Sequence, residues 1–108
     1  MKSNSVTYRR QAPEGVVFTT IRYDHTGQPD LLLVNVGKAG SRLNAAADWG
    51  ARLAGAAFRS GVDVEYVASI TAEISHEQSG NGYEAASLAD AVAQSLREFS
   101  EAHPISAD

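Results

Sequence analysis

Residues 34–41 read Val34-Asn35-Val36-Gly37-Lys38-Ala39-Gly40-Ser41, an apolar run that breaks into a glycine-rich turn and is followed by a helical pattern. This order predicts a strand, a tight turn and the N-terminus of a helix. The first amides of a helix have no partner within it, and together with the helix dipole they attract anions. Lys38 and Arg42 place positive charge beside the turn.

Two interpretations of this turn are open. In the first, Gly37, Lys38, Ala39, Gly40, Ser41 and Arg42 bind an anion. In the second, Gly37 and Gly40 only permit a positive φ and Ser41 caps the helix. The Gly-x-x-Gly spacing matches neither the P-loop nor the dinucleotide-binding fingerprint, so the motif alone does not choose between them.

The residues around the turn predict a hairpin. Val16 to Tyr23 is rich in β-branched and aromatic residues, which favours a strand. A polar turn follows, and Leu31 to Val36 forms the returning strand, so that the hairpin spans residues 16–36. Earlier in the chain a strand can begin at Tyr8 to Arg10, whereas residues 1–7 and 104–108 read as loose ends.

Apolar residues at helical spacing predict two main helices over residues 41–60 and 87–103 and a short helix over residues 63–70. Residues 71–74 fit either a helix or a strand. The predicted fold is therefore α+β: a small antiparallel sheet packed against these helices. At 108 residues the chain is long enough for one domain, with residues 1–108 as a single unit.

The long helix carries an unusual number of small residues. Its main apolar stripe comprises Leu43, Ala46, Ala47, Gly50, Leu53, Ala54, Ala57 and Phe58. Ala45, Ala51, Gly55 and Ala56 lie outside that stripe and predict a second flat face, against which another backbone comes close. In so short a chain that backbone can belong to a second subunit, so we expect a homo-oligomer.

The composition of the chain excludes several classes of function. The chain has no cysteine, which excludes disulfides, thiolate nucleophiles and cysteine-ligated metal. Residues 1–59 hold eight Lys and Arg against four acids, whereas residues 60–108 hold one against nine. With a net charge of −4, long nucleic acid is not an expected partner. The N-terminus is polar and no long apolar run is present, so we expect a cytoplasmic protein without a membrane partner.

The candidate catalytic and ligand residues are few. His25, His76 and His103 are far apart and form no metal-binding spacing, so no metal, no cofactor and no enzymatic activity is predicted. His76 lies in a polar loop, residues 75–82, that is long enough to cover a site. Trp49 and Tyr83 each fit either a packing role or a stacking surface for a nucleobase.

The residues placed above resemble the TSCPD domain family, over roughly residues 16–101. The similarity rests on the turn at residues 34–41, on the helix end Phe58-Arg59-Ser60-Gly61-Val62, and on Ala86-Ser87-Leu88-Ala89-Asp90, which aligns with the motif that names the family. Only Ser87 and Asp90 of that motif are retained, and Ser87 with Asp90 also fits a helix capping box.

The family is best known at the C-terminal end of vitamin B12-dependent class II ribonucleotide reductases, and it also occurs as small free-standing proteins. Leu88 stands where the family motif has cysteine, and the second family cysteine is absent around residues 71–75. The resemblance therefore implies the fold without a redox or zinc function.

From these observations we expect a non-catalytic protein that binds a small anionic ligand, a nucleotide or a cyclic nucleotide-like signal. The phosphate would lie at Gly37–Ser41, with Tyr83 or Trp49 stacked on the base. Fold and size suggest an analogy with small phage proteins that sequester the nucleotide messengers of bacterial defence. The alternative is an accessory protein related to ribonucleotide reductase that acts through protein contacts.

Overall fold

The computed structural model describes residues 4–74 and 82–104, and within them it has three strands and three helices. The strands are β1 (Asn4–Ala12), β2 (Gly15–Tyr23) and β3 (Pro29–Gly37), which form one antiparallel sheet in the order β1-β2-β3. The helices are α1 (Ser41–Arg59), α2 (Val64–Ile74) and α3 (Leu88–Ala102). The predicted α+β fold is confirmed, as is the hairpin, now β2 and β3.

The sheet has one more strand than the hairpin alone. β1 begins at Asn4, so the prediction of a loose end over residues 1–7 was wrong for residues 4–7. Val6 and Tyr8 alternate with exposed polar residues and pack against the core from one face of the strand. Two half-buried side chains among polar neighbours give a weaker sequence pattern than β2 does. Residues 71–74, which fitted either structure, extend α2 to Ile74.

The sheet buries one face under the helices. Val17, Thr19 and Ile21 alternate along β2 and are buried, together with Leu32 on β3. The residues between them point to the opposite side, which we call the outer face, where Phe18 and Leu33 are exposed. This alternation is typical of an antiparallel sheet with one face covered.

The small residues of α1 bring it close to β3. Ala51 and Gly55 are buried, and a Cβ at Gly55 would lie 3.6 Å from the backbone N of Leu32. A second backbone does approach this face, but it belongs to β3 of the same chain, so the small residues are no evidence for a second subunit. The predicted apolar stripe is buried only in part: Phe58 is 1% exposed, whereas Leu53 is 56% exposed. Small side chains allow a closer approach to a strand than Leu53 would.

α3 packs across β1 and β2 and supplies much of the core. Its buried residues are Ala91, Val92, Ala93, Ser95, Leu96 and Phe99. Arg10 of β1 ties the two together: its Nε donates to Gln94 Oε1 at 3.0 Å, its Nη1 donates to Ser95 Oγ at 3.0 Å, and it forms an ion pair with Glu98. α2 packs on α3 from the other side. Among the described residues no helix is both long and apolar enough to cross a membrane.

Candidate functional site

A groove separates α1 from the α2–α3 pair and has β3 as its floor. Its cavity volume is about 710 Å³. The floor and walls are largely apolar and include Leu32 and Val34 on β3, Ala47, Gly50 and Ala54 on α1, and Leu88 and Val92 on α3. Because the α1 wall consists of alanine and glycine, the space beside it stays unfilled.

Large apolar side chains stand at the rim of the groove. Trp49 lines it and is 69% exposed, and Ile74 at the end of α2 is also exposed. Trp49 is therefore not a core packing residue of the single chain. The ring of Trp49 is accessible, so it can stack on a ligand or contact a partner protein.

The groove carries little charge of its own. Among the described residues that line it, Glu14, in the turn between β1 and β2, is the one with a charged side chain, and Thr71 and Ser87 contribute hydroxyls. An apolar or aromatic group fits this lining, whereas a phosphate there would meet the Glu14 carboxylate and no cation of the described lining residues.

The glycine-rich turn leads from β3, the floor of the groove, into α1, one of its walls. Ala39 N donates to Val36 O at 3.2 Å and closes the turn. Lys38 has φ 64°, so it is Lys38 that takes the left-handed conformation. The positive φ predicted for Gly37 and Gly40 was therefore wrong. The turn needs a positive φ at one position only, and in this geometry that position is the one after Gly37.

Gly40, rather than Ser41, is the N-cap of α1. Gly40 has φ −68° and ψ 168°, and it makes no side-chain cap hydrogen bond to the first turn. The prediction that Ser41 caps the helix was wrong, because Ser41 is already the first helical residue. Since the first turn also contains no acidic residue, its backbone N–H groups are not neutralised locally.

Asn44, which no sequence motif singled out, holds the turn in place. Its Oδ1 accepts from Val36 N at 2.8 Å, and its Nδ2 donates to Val36 O at 3.1 Å and to Ala39 O at 3.3 Å. Asn44 lies one turn into α1 on the side that faces β3. A polar residue on the packed side of a helix next to a glycine turn is the signal that could have revealed it.

Several cations of the basic half are already paired. Arg22 Nε lies 2.8 Å from Asp30 Oδ1, and Arg52 Nε lies 2.8 Å from Asp48 Oδ2. The hydrogen bond and the charge of Asp48 raise the pKa of Arg52 above its ordinary value. Within residues 4–74 and 82–104, no ion pair involves Lys38 or Arg42.

The predicted ligand residues fall into separate places. Arg42 and Trp49 lie on one side of α1, because residues spaced by about seven share a helix face. Lys38 lies in the turn before them. Tyr83 is not part of the groove lining: its neighbour Glu84 accepts a hydrogen bond from Gln11 N at 2.8 Å, on β1 at the far edge of the sheet. Of the predicted ligand residues, the structure thus places Trp49 in the groove lining, and Gly37 to Arg42 and Tyr83 are not part of it.

Two other predicted features have structural roles. Ser87 Oγ accepts from Asp90 N at 3.1 Å, which confirms the cap of α3, and Asp90 Oδ2 accepts from Ala86 N at 2.9 Å. His103 stacks on Phe99, with ring centroids 4.6 Å apart. His76 and residues 75–81 of the predicted covering loop lie outside the described residues. In the described part of the chain no group of three His, Asp or Glu side chains converges.

Comparison with known proteins identifies the family of the chain. The family model for the TSCPD domain matches residues 2–100. No curated protein and no solved structure shows a significant similarity to the chain. The match covers most of the chain, including the turn at residues 37–41, the groove and the cap of α3.

Proposed function

The chain belongs to the TSCPD domain family, and we propose that it is a non-catalytic binding protein for a small amphipathic anion, a nucleotide or a cyclic nucleotide-like signal. The observation that carries the proposal is the position of the groove. It is largely apolar, and one of its walls is α1, the helix whose N-terminus has no side-chain cap and is flanked by Lys38 and Arg42.

The groove suits the base of such a ligand. A cavity of about 710 Å³ is in the usual range for a small-molecule site, and its walls are apolar. Trp49 at the rim offers an accessible aromatic face, and aromatic faces accept nucleobases of any kind. Two hydroxyls of the lining already bond to the main chain: Thr71 Oγ1 donates to Val67 O at 2.7 Å, and Ser87 Oγ accepts from Asp90 N at 3.1 Å. Thr71 can still accept a hydrogen bond from the base, and Ser87 can still donate one.

The start of α1 suits the phosphate. The first-turn amides, the helix dipole and Arg42 all favour a negative charge there. Lys38 adds a second cation from the turn, which Asn44 fixes through three hydrogen bonds. A preformed turn reduces the entropy lost when the ligand binds.

A protein that binds without converting its ligand lowers the free concentration of that ligand. On this proposal the chain sequesters a nucleotide signal, and the use of small phage proteins against nucleotide messengers of bacterial defence is the corresponding biological setting. This part of the proposal follows from the analogy in size and fold.

Thermal shift with a panel of mono-, di- and cyclic nucleotides tests the proposal. A ligand at 100 times its Kd should raise the free energy of unfolding by about 2.7 kcal/mol. Lys38→Ala and Arg42→Ala should each reduce the shift, and the control Arg97→Ala, an exposed arginine on α3, should leave it unchanged. The absence of a shift with every nucleotide would contradict the proposal. Recovery of intact ligand after hours with the protein would separate binding from hydrolysis.

A second candidate function rests on the exposed apolar side chains of α1 and α2. Trp49, Leu53, Ile70 and Ile74 expose apolar surface along α1 and α2. An accessory protein related to ribonucleotide reductase would bury this surface against a partner protein. In that case nucleotides cause no thermal shift, and Leu53→Glu together with Ile70→Glu abolishes binding to the reductase without unfolding the chain.

A further inference from the structure

The free edge of β1 carries main-chain groups with no partner in the sheet. β1 is an edge strand, paired only with β2. At its end Gln11 N donates to Glu84 Oε1 at 2.8 Å, and Gln11 O accepts from Ala85 N at 3.0 Å, so Gln11 points its main chain outward. Outward and inward residues alternate along a strand. The N–H and C=O groups of Ser5, Thr7 and Arg9 therefore face the same free edge.

The opposite edge of the sheet is covered. Asn44 of α1 bonds both Val36 N and Val36 O on the free side of β3. Further along the strand, α1 approaches Leu32 at Gly55. Among the described residues, neither a helix nor a strand covers Ser5, Thr7 and Arg9, and all three are exposed. An edge left open in this way is a template for another strand.

We propose that β1 pairs with β1 of a second copy, antiparallel and about a two-fold axis at Thr7, so that two sheets join into one of six strands. Thr7 then lies opposite Thr7 of the partner subunit, and Ser5 lies opposite Arg9 of the partner subunit. Each of these pairs exchanges two main-chain hydrogen bonds, as outward-facing residues do in an antiparallel ladder. The interface is isologous and closes as a dimer.

The side chains and charges of β1 favour this register over registers shifted toward the end of the strand. A shift toward the end of β1 would require Gln11, whose main chain is already bonded, and an axis at Arg9 would oppose two arginines. With the axis at Thr7, each Arg9 faces a serine. On the helix side Tyr8 lies opposite Val6 of the partner subunit, and both residue types already pack against the core of their own chain. The strand is thus complementary to itself.

Two variants at one position test the pairing. Thr7→Pro removes the N–H on the free edge, whereas Thr7→Val keeps it. Both lose the Thr7 Oγ1 to Thr20 Oγ1 hydrogen bond of 2.8 Å. Proline is tolerated on an edge strand where its nitrogen faces away from the ladder, so both variants should fold, as circular dichroism can check.

Sedimentation equilibrium should show the wild type and Thr7→Val as dimers, and Thr7→Pro should dissociate with a Kd raised by at least about tenfold. Hydrogen exchange gives an independent readout, because the Ser5, Thr7 and Arg9 amides should be protected in the dimer only. A monomeric wild type would overturn the proposal. So would a dimer in which these three amides exchange freely, because another surface would then carry the contact.

The result of the dimerisation experiment does not depend on the result of the nucleotide experiment. The groove lies on the helix side of the sheet beside β3, whereas the pairing uses the far edge of β1. Thr7→Pro should therefore retain any thermal shift that nucleotides produce in the wild type. Failure of either proposal leaves the other intact.

Discussion

Lys38 occupies a conformation that suits glycine better than lysine. Its φ of 64° places it in the left-handed region, which is unfavourable for a residue with a Cβ. We expect Lys38→Gly to raise the free energy of unfolding by about 0.5–1 kcal/mol, because the strain is relieved. The same change should weaken nucleotide binding, since a cation is lost.

Urea unfolding and nucleotide titration on the same protein preparation measure these two effects. Arg42→Gln is the control for charge, because it should weaken binding without the gain in stability. If Lys38→Gly destabilises the fold, the turn depends on the lysine side chain rather than tolerating it.

Asp24 makes the stability of the fold depend on pH in the acid range. The pKa of its carboxyl is lowered, first by the hydrogen bond from the Thr26 hydroxyl at 2.6 Å and then by those from the Thr26 and Gln28 amides. A lowered pKa in the folded state means that Asp24 stabilises the fold above the unfolded pKa of about 3.8. That stability is lost as the pH falls through the lower, folded pKa.

We therefore expect the wild type to lose more stability than Asp24→Asn between about pH 6 and about pH 3. Urea unfolding at the two pH values measures the difference. Glu73→Gln, which removes an exposed carboxylate from α2, serves as the control and should follow the wild type. Equal losses in the wild type and Asp24→Asn would show that the turn contributes nothing to acid sensitivity.

At the scale of elements, the sequence predicted the bounds of α1 better than it predicted which face of α1 packs against the sheet. Its start at Ser41 and its end near Arg59 follow from the glycine turn and the apolar spacing. That spacing indicated only part of the face that packs: Phe58 of the predicted stripe is buried, but so are Ala51 and Gly55 outside it. Leu53 of the stripe is exposed. Hydrophobicity ranks leucine above glycine, but close contact between a helix and a strand depends on size.

Gly55 is the position at which this close contact can be tested. A Cβ there would lie 3.3 Å from the flexible guanidinium of Arg59 and 3.6 Å from the backbone of β3. Gly55→Ala should stay within about 1 kcal/mol of the wild type, because the gain in helix propensity offsets slight crowding. Gly55→Leu should lower the free energy of unfolding by about 1–3 kcal/mol, because the larger side chain pushes α1 away from β3.

Gly50→Leu is the matched control on the same helix. A Cβ at Gly50 has no neighbour within 4 Å, so this substitution should not destabilise the fold. Urea unfolding of the three variants gives the comparison. If Gly55→Leu were as stable as Gly50→Leu, α1 would be free to move relative to β3, and the groove width would not be fixed by this contact.

At the scale of the whole molecule, the groove could not have been predicted from the sequence. It exists because α1 follows β3 while α3 lies across β1 and β2, so that the space between the helices has only small side chains on one wall. The sequence located the turn, the two cations and Trp49, which are local features. Tyr83 was wrongly predicted to join these residues, because the segment that contains Tyr83 runs beside β1. Residue spacing does not reveal how far apart two segments lie across a sheet.

If the groove is the ligand site, a substitution that fills the groove should raise the stability of the fold and abolish ligand binding. Ala47 is a half-buried wall residue, and Ala47→Leu would extend its side chain over the apolar floor. We expect the free energy of unfolding to rise by up to about 2 kcal/mol from the added apolar burial. The nucleotide-induced thermal shift should disappear in the same variant, because the volume for the base is occupied.

Ala45→Leu is the matched control, since Ala45 is an exposed neighbour on α1 that does not line the groove. It should leave both the stability and the thermal shift close to those of the wild type. An unchanged shift in Ala47→Leu would place the ligand at the turn alone, where Lys38 and Arg42 are sufficient to bind a phosphate. Loss of the shift in both variants would instead indicate that α1 as a whole had moved, because the two positions share only the helix.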